Sequence, residues 1–113
     1  MSADDFRRIA LSLPDAVEAA HMRHPDFRVA GRIFATLGYP RRGWGTVMLT
    51  TEQQDRFVRA QPAAFMPVTG GWGRAGATSV RLGAAGKGAV REALKVAWLN
   101  HAPGRRGDPA TAG

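Results

Sequence analysis

The sequence predicts an α+β domain built on an antiparallel β-sheet with helices packed against it, and three observations lead there. A chain of 113 residues suffices for one core but not for two ordinary domains. Apolar residues recur at helical spacing near both ends and once in the middle. Between those segments they alternate with polar residues in short runs whose links are too brief for parallel crossovers.

Ser2 is placed to cap a first helix whose apolar residues Phe6, Ile9, Ala10 and Leu13 fall on one face. Asp4 and Asp5 occupy its first turn, where the helix dipole favours anions, and Pro14 ends it. The pattern from Ala16 to Met22 is ambiguous between helix and strand. Phe27 and Val29 then alternate with Arg28, and Ile33, Ala35 and Leu37 alternate with Arg32, Phe34 and Thr36, which predicts two half-buried strands. Ala30-Gly31 between them fits a two-residue hairpin turn, since glycine tolerates the positive φ such turns demand.

After the breaker-rich loop Gly38 to Gly43, Val47 and Leu49 read as inward positions of a third strand. Thr50 and Gln53 have capping-box spacing, so a helix follows, with Phe57 and Val58 in its apolar stripe before Pro62. A second glycine-rich loop runs from Pro67 to Ala77. Val80 and Leu82 alternate with Ser79 and Arg81 as a last strand, and Val90, Ala93, Leu94, Ala97 and Trp98 form the inward stripe of a last helix. The expected domain is 1–102, with 103–113 a mobile tail carrying Gly, Pro and Arg but no apolar side chain beyond alanine.

Under this pattern Arg28, Arg32 and Arg81 lie outward with Phe34, which predicts one positively charged sheet face. The formal net charge is +7, from sixteen basic and nine acidic side chains, and fourteen of the basic ones are arginine. Arginine's planar fork pairs with phosphate through two hydrogen bonds and stacks on flat rings, whereas lysine acts as a mobile point charge. A GC-rich coding sequence equally accounts for arginine over lysine, but the positive excess stands under either explanation. It is uneven: residues 1–26 carry −2, residues 27–81 carry +6 and residues 82–113 carry +3. The basic middle is also where glycine and tryptophan gather, which points to an interaction surface.

Several function classes are disfavoured. Without cysteine there is no disulfide, thiol nucleophile or thiolate metal site, and a reducing cytoplasm is the expected compartment. No segment has the roughly 20 apolar residues of a membrane span, and the acid-then-arginine start is unlike a signal peptide. His21, Arg23, His24 and Asp26 invite a metal or acid–base reading, but zinc takes three or four ligands and the remaining histidine, His101, is remote in sequence. No metal or other cofactor is therefore expected. Ser12 and Ser79 lack the context of an activated nucleophile. Gly71-Trp72-Gly73-Arg74-Ala75-Gly76 matches the spacing of a dinucleotide cradle but leads from a loop toward a strand, the wrong setting for one. No enzymatic activity is expected.

Gly43-Trp44-Gly45 and Gly71-Trp72-Gly73 repeat one tripeptide, the first beside Arg41 and Arg42, the second beside Arg74. As paired loops they would offer arginines to phosphates and an indole to a base. Alternatively each indole folds inward to close the core beneath its loop.

The blocks His24 to Val29, Gly31 to Leu37, Gly43-Trp44-Gly45 with Leu49-Thr50 and Glu52-Gln53-Gln54, Pro67 to Arg74, and Thr78 to Leu82 occur in an order that resembles the MmcQ/YjbR family from Phe6 to about Ala102. The resemblance implies helices on one side of an antiparallel sheet, two wing-like loops at Gly38 to Gly45 and Pro67 to Ala77, and a DNA-binding role ascribed to the family. Arg32 stands where members often carry lysine, and Ala77 where an aromatic often precedes the threonine. The family's fold also resembles that of secretion chaperones, which bind partner chains and often pair as dimers. The expected function is binding of duplex DNA, with low sequence specificity, through Arg28, Arg32, Arg41, Arg42, Trp44, Trp72, Arg74 and Arg81, by a monomer or homodimer. The alternative is a protein or peptide adaptor, which a solvent-facing Phe34 or Trp44 would favour.

Overall fold

The computed structural model describes residues 1–21 and 23–103. The remainder of the expected tail, residues 104–113, lies outside the described residues. Ten elements follow in order: α1 (Ala3–Leu11), β1 (Val17–His21), β2 (His24–Val29), β3 (Arg32–Leu37), β4 (Trp44–Met48), α2 (Thr51–Ala60), β5 (Phe65–Pro67), α3 (Gly71–Arg74), β6 (Ala77–Arg81) and α4 (Lys87–His101). The strands form one six-stranded sheet in the order β1-β2-β3-β4-β6-β5, and every neighbouring pair is antiparallel. No helix among the described residues is long and apolar enough to cross a membrane.

The starts of α1 and α2 follow from side chains that satisfy otherwise unpaired amides. Ser2 Oγ accepts from the Asp5 amide while Asp5 accepts from the Ser2 amide, and Thr50 and Gln53 repeat that reciprocal arrangement at α2. The ambiguous segment after Pro14 is the edge strand β1. Ala30 and Gly31 both take positive φ, 53° and 78°, as a hairpin turn twisted with its strands requires.

Helices α1, α2 and α4 cover one face of the sheet. The core there is built on Phe6, Phe27, Phe34, Phe65, Val80 and Leu94, each at most 1% exposed. The Phe6 and Phe27 rings are 6.1 Å apart and those of Phe57 and Phe65 5.2 Å. All five predicted inward residues of α4 are buried, and its Trp98 Nε1 donates to the Pro14 carbonyl at 2.9 Å, fastening the end of the α1 segment. Gly45 is bare because a Cβ there would lie 2.9 Å from the Phe6 ring.

The register corrects the predicted alternation in β3. Phe27 opposes Ala35 and Arg28 opposes Ile33, so Phe34 is an extra residue that shifts the pairing. A bulge of this kind places two consecutive side chains on one side: Phe34 and Ala35 are both wholly buried, while Ile33 and Thr36 face the opposite side. Phe34 is therefore core and not a surface aromatic. Two elements stand beyond those expected: the three-residue strand β5 ends at Pro67, where the second glycine-rich loop begins, and the one-turn helix α3 lies inside that loop.

Candidate functional site

The face of the sheet turned away from α1, α2 and α4 carries His24, Asp26 and Arg28 from β2, Ile33 and Thr36 from β3, Trp44, Thr46 and Met48 from β4, and Ala77, Ser79 and Arg81 from β6, as the strand register dictates. The loop between β5 and β6, with α3 inside it, borders this face and turns part of it into a cleft of about 1350 Å³. The floor is Asp26, Ile33, Thr36, Met48 and Ala77, the loop contributes Val68, Trp72 and Ala75, and Tyr39 stands at the end of β3. Beyond Met48 the rim passes to Thr50, Glu52 and Asn100. Asn100 is held there by hydrogen bonds with Gln53 and the Met48 carbonyl.

The loop is seated by its glycines. Gly73 packs against the Val68 backbone so closely that any Cβ would overlap the Val68 carbonyl, and a Cβ at Gly76, whose φ is 117°, would overlap the Leu49 carbonyl. Gln54 of α2 donates to the carbonyls of Gly73 and Ala77, both at 2.9 Å, so the start of α2 ties the end of α3 to the start of β6.

The two tripeptides have opposite fates. Trp44 begins β4 and is 8% exposed, whereas Trp72 in α3 is 57% exposed. The buried Trp44 is thus corrected from a base-stacking candidate to a structural residue, and with Phe34 also buried neither side chain supplies the exposed aromatic that an adaptor reading would draw on. Trp72 instead meets Tyr39, with ring centroids 6.4 Å apart, and Tyr39 meets His24 at 6.3 Å. This run of three rings joins the two wing loops.

The predicted arginines separate into three situations. Arg28 is engaged internally: its Nε and one terminal nitrogen donate to the two carboxylate oxygens of Asp26 at 2.8 and 3.1 Å. Those hydrogen bonds, with the carboxylate's charge, hold the Arg28 guanidinium above its usual pKa. Arg32 is exposed at the β2–β3 hairpin, opposite buried Val29, away from the wings and not on the cleft face. Arg41, Arg42, Arg74 and Arg81 are all exposed. Arg81 lies over Trp44, and none of these four forms an ion pair among the described residues, in contrast to Arg7, Arg8 and Arg59 on helices, each bound to an acid.

The expectation of one positively charged sheet face is accordingly corrected. Among the described residues no arginine or lysine lines the cleft; the positive groups stand around it. The reason is the β3 bulge, which moves Arg32 off that face, together with Asp26, which neutralises Arg28. His24 and Asp26 do line the cleft, but Asp26 is committed to Arg28, and no cluster of three metal-ligating side chains occurs among the described residues. Sequence reading missed Tyr39, Thr36, Met48 and Asn100 as cleft residues, and the breaker-rich context of Tyr39 was the one available signal.

A family model described as YjbR matches residues 11–100. The fold is similar to the crystal structure of the Deinococcus radiodurans protein DR2400, whose domain is described as DUF419, with a TM-score of 0.72 and 18% identity over 88% of this chain and 77% of that one. No curated protein matches the chain.

Proposed function

Because the chain belongs to the YjbR family, we propose on the surface chemistry that it binds nucleic acid with low sequence specificity, through phosphate contacts and without catalysis, as a cytoplasmic protein. The observation that carries this reading is the set Arg41, Arg42, Arg74 and Arg81, exposed and free of ion pairs among the described residues. An arginine already paired with a carboxylate must give up that partner to bind phosphate; these four give up only water. Two loops tied by the Tyr39–Trp72 contact carry three of them, and the fourth is steadied by the Trp44 ring. Phosphate contacts fix position and carry no sequence information, and among the described residues no recognition helix bearing base-reading side chains projects from this surface. Arg28, occupied by Asp26, is left out of the binding set, and Arg32 contributes at most through its charge.

The test is fluorescence-anisotropy titration of a labelled random-sequence duplex at two salt concentrations, with the R41A/R42A/R74A variant alongside. Affinity falls with salt, and the variant binds more weakly with a shallower salt dependence, by about 0.9 in logarithmic slope for each phosphate it no longer neutralises. Absence of binding even at low salt overturns the reading and brings the adaptor alternative forward.

A further inference from the structure

Resting on the phosphate-binding reading, we infer that the cleft takes unpaired bases, so that the preferred ligand is a single-stranded stretch of nucleic acid rather than a duplex.

The cleft and its surroundings divide the chemistry of a single strand between them. Phosphates are anionic and bases are neutral, flat and apolar-faced. The positive side chains Arg41, Arg42 and Arg74 stand on the loops that border the cleft, while among the described residues its lining holds no arginine or lysine. An interior without arginine or lysine is a poor place for phosphate and a suitable one for a base. Trp72 and Tyr39, 57% and 38% exposed, hold their rings at the mouth with edge-to-face geometry, an interplanar angle of 62°, so that faces remain open for stacking. Aromatic platforms beside an arginine-lined backbone track are the general means of holding single strands irrespective of sequence.

Size and polarity agree with this assignment. From Ile33 to Thr36 the cleft follows β3 for roughly 10 Å, at about 3.3 Å per residue, and Tyr39 continues its lining past the strand's end. Its volume of about 1350 Å³ exceeds the roughly 300–1,000 Å³ of a site for one drug-sized molecule, so it has room for more than one base. Ile33, Met48 and Ala77 give base faces an apolar floor, and Thr36 supplies a hydroxyl for base edges. A duplex, with its bases stacked and paired inside, presents only phosphates and groove edges and leaves this cleft unfilled.

The experiment compares three labelled 12-mers at one low salt concentration by fluorescence anisotropy: oligo-dT, a random-sequence duplex, and a single strand of abasic sites that keeps phosphates but lacks bases. Each is titrated with the full chain and with its W72A and Y39A variants, whose unchanged circular dichroism and melting confirm folding. Oligo-dT is expected to bind at least tenfold more tightly than the duplex and the abasic strand. W72A is expected to lower oligo-dT affinity about tenfold, within the range of one stacked base, and to lower duplex affinity by a smaller factor, since there it loses only the contact that ties the two loops. Equal binding of all three 12-mers, or oligo-dT binding indifferent to both ring variants, overturns the cleft assignment while the phosphate reading stands. Failure of all three to bind overturns both.

Discussion

The guanidinium carbon of Arg81 lies 5.1 Å from the centroid of the Trp44 ring, and the two residues are direct partners across the β4–β6 ladder. The indole, 8% exposed, acts as a floor beneath an exposed cation. An exposed contact of this type contributes about 0.5–1 kcal/mol, so Arg81→Ala is expected to change unfolding free energy by no more than about 1 kcal/mol while weakening duplex binding. Trp44→Ala removes a buried ring and is expected to cost about 3 kcal/mol. Urea denaturation and anisotropy on both variants check the separation; a large stability loss in Arg81→Ala would show that the arginine is structural.

Asp26 is wholly buried and has Arg28 as its ion-pair partner. Removing one member of such a pair leaves the other charge without compensation, whereas removing both does not. Arg28→Ala is therefore expected to melt well below the parent protein, and the D26A/R28A double variant above Arg28→Ala alone. Thermal melts of the two variants decide it. If Arg28→Ala were harmless to stability and instead abolished nucleic-acid binding, Arg28 would belong with the wing arginines after all.

What was legible in the sequence depended on how local the cause was. The caps at Ser2 and Thr50, the turn at Ala30-Gly31 and the stripe of α4 are set by residues within a few positions of each other, and all stand where they were predicted. The inward and outward sides of β3 were not legible, because period-two alternation presumes an unbroken register and the extra Phe34 shifts it. The same presumption put Arg32 on the cleft face. Strand β5, three residues long with Met66 exposed, is too short to show a period. The two Gly-Trp-Gly segments are locally identical, and what separates them is distant: Trp44 meets Arg81 across the ladder, while Trp72 meets Tyr39 from another loop. The cleft joins β2, β3, β4, β6 and the end of α4, so no stretch of sequence carries its signature.

Asp5 has its pKa held below the usual aspartate value of 3.8, first by the hydrogen bond from the Ser2 amide, then by the Ser2 hydroxyl and the positive charges of Lys87 and Arg8, with desolvation opposing. A carboxyl lowered by folding contributes stability that is present in full above its unfolded pKa and is lost as pH falls through the folded value. The parent protein is therefore expected to lose stability from about pH 4 downward. Asp5→Asn, less stable at neutral pH, is expected to show a flatter acid limb. Melting temperatures from pH 7 to pH 2.5 for both proteins provide the check; parallel limbs would remove Asp5 from the acid response.

Gly73 tests whether the second wing is a built wall or a passive loop. Its Cα hydrogen faces the Val68 carbonyl so closely that a methyl group has no room, and the obstacle is backbone rather than a side chain that can swing aside. Gly73→Ala must therefore displace the turn that carries Trp72, breaking the Gln54 bond to the Gly73 carbonyl and opening the Tyr39–Trp72 contact. Overpacking of this kind typically costs about 1–3 kcal/mol. By contrast, a Cβ at Gly71 would meet only the Arg74 guanidinium, at 3.7 Å, so Gly71→Ala is expected to be tolerated. If the wing shapes the cleft, Gly73→Ala lowers single-strand affinity more than Gly71→Ala does, and the indole emission of Trp72, isolated by subtracting the spectrum of Trp72→Phe, shifts only in Gly73→Ala. Identical stability, spectra and affinity for the two alanine variants would mean that the loop accommodates the methyl group without moving the ring, and the wing would then have no part in setting the width of the cleft.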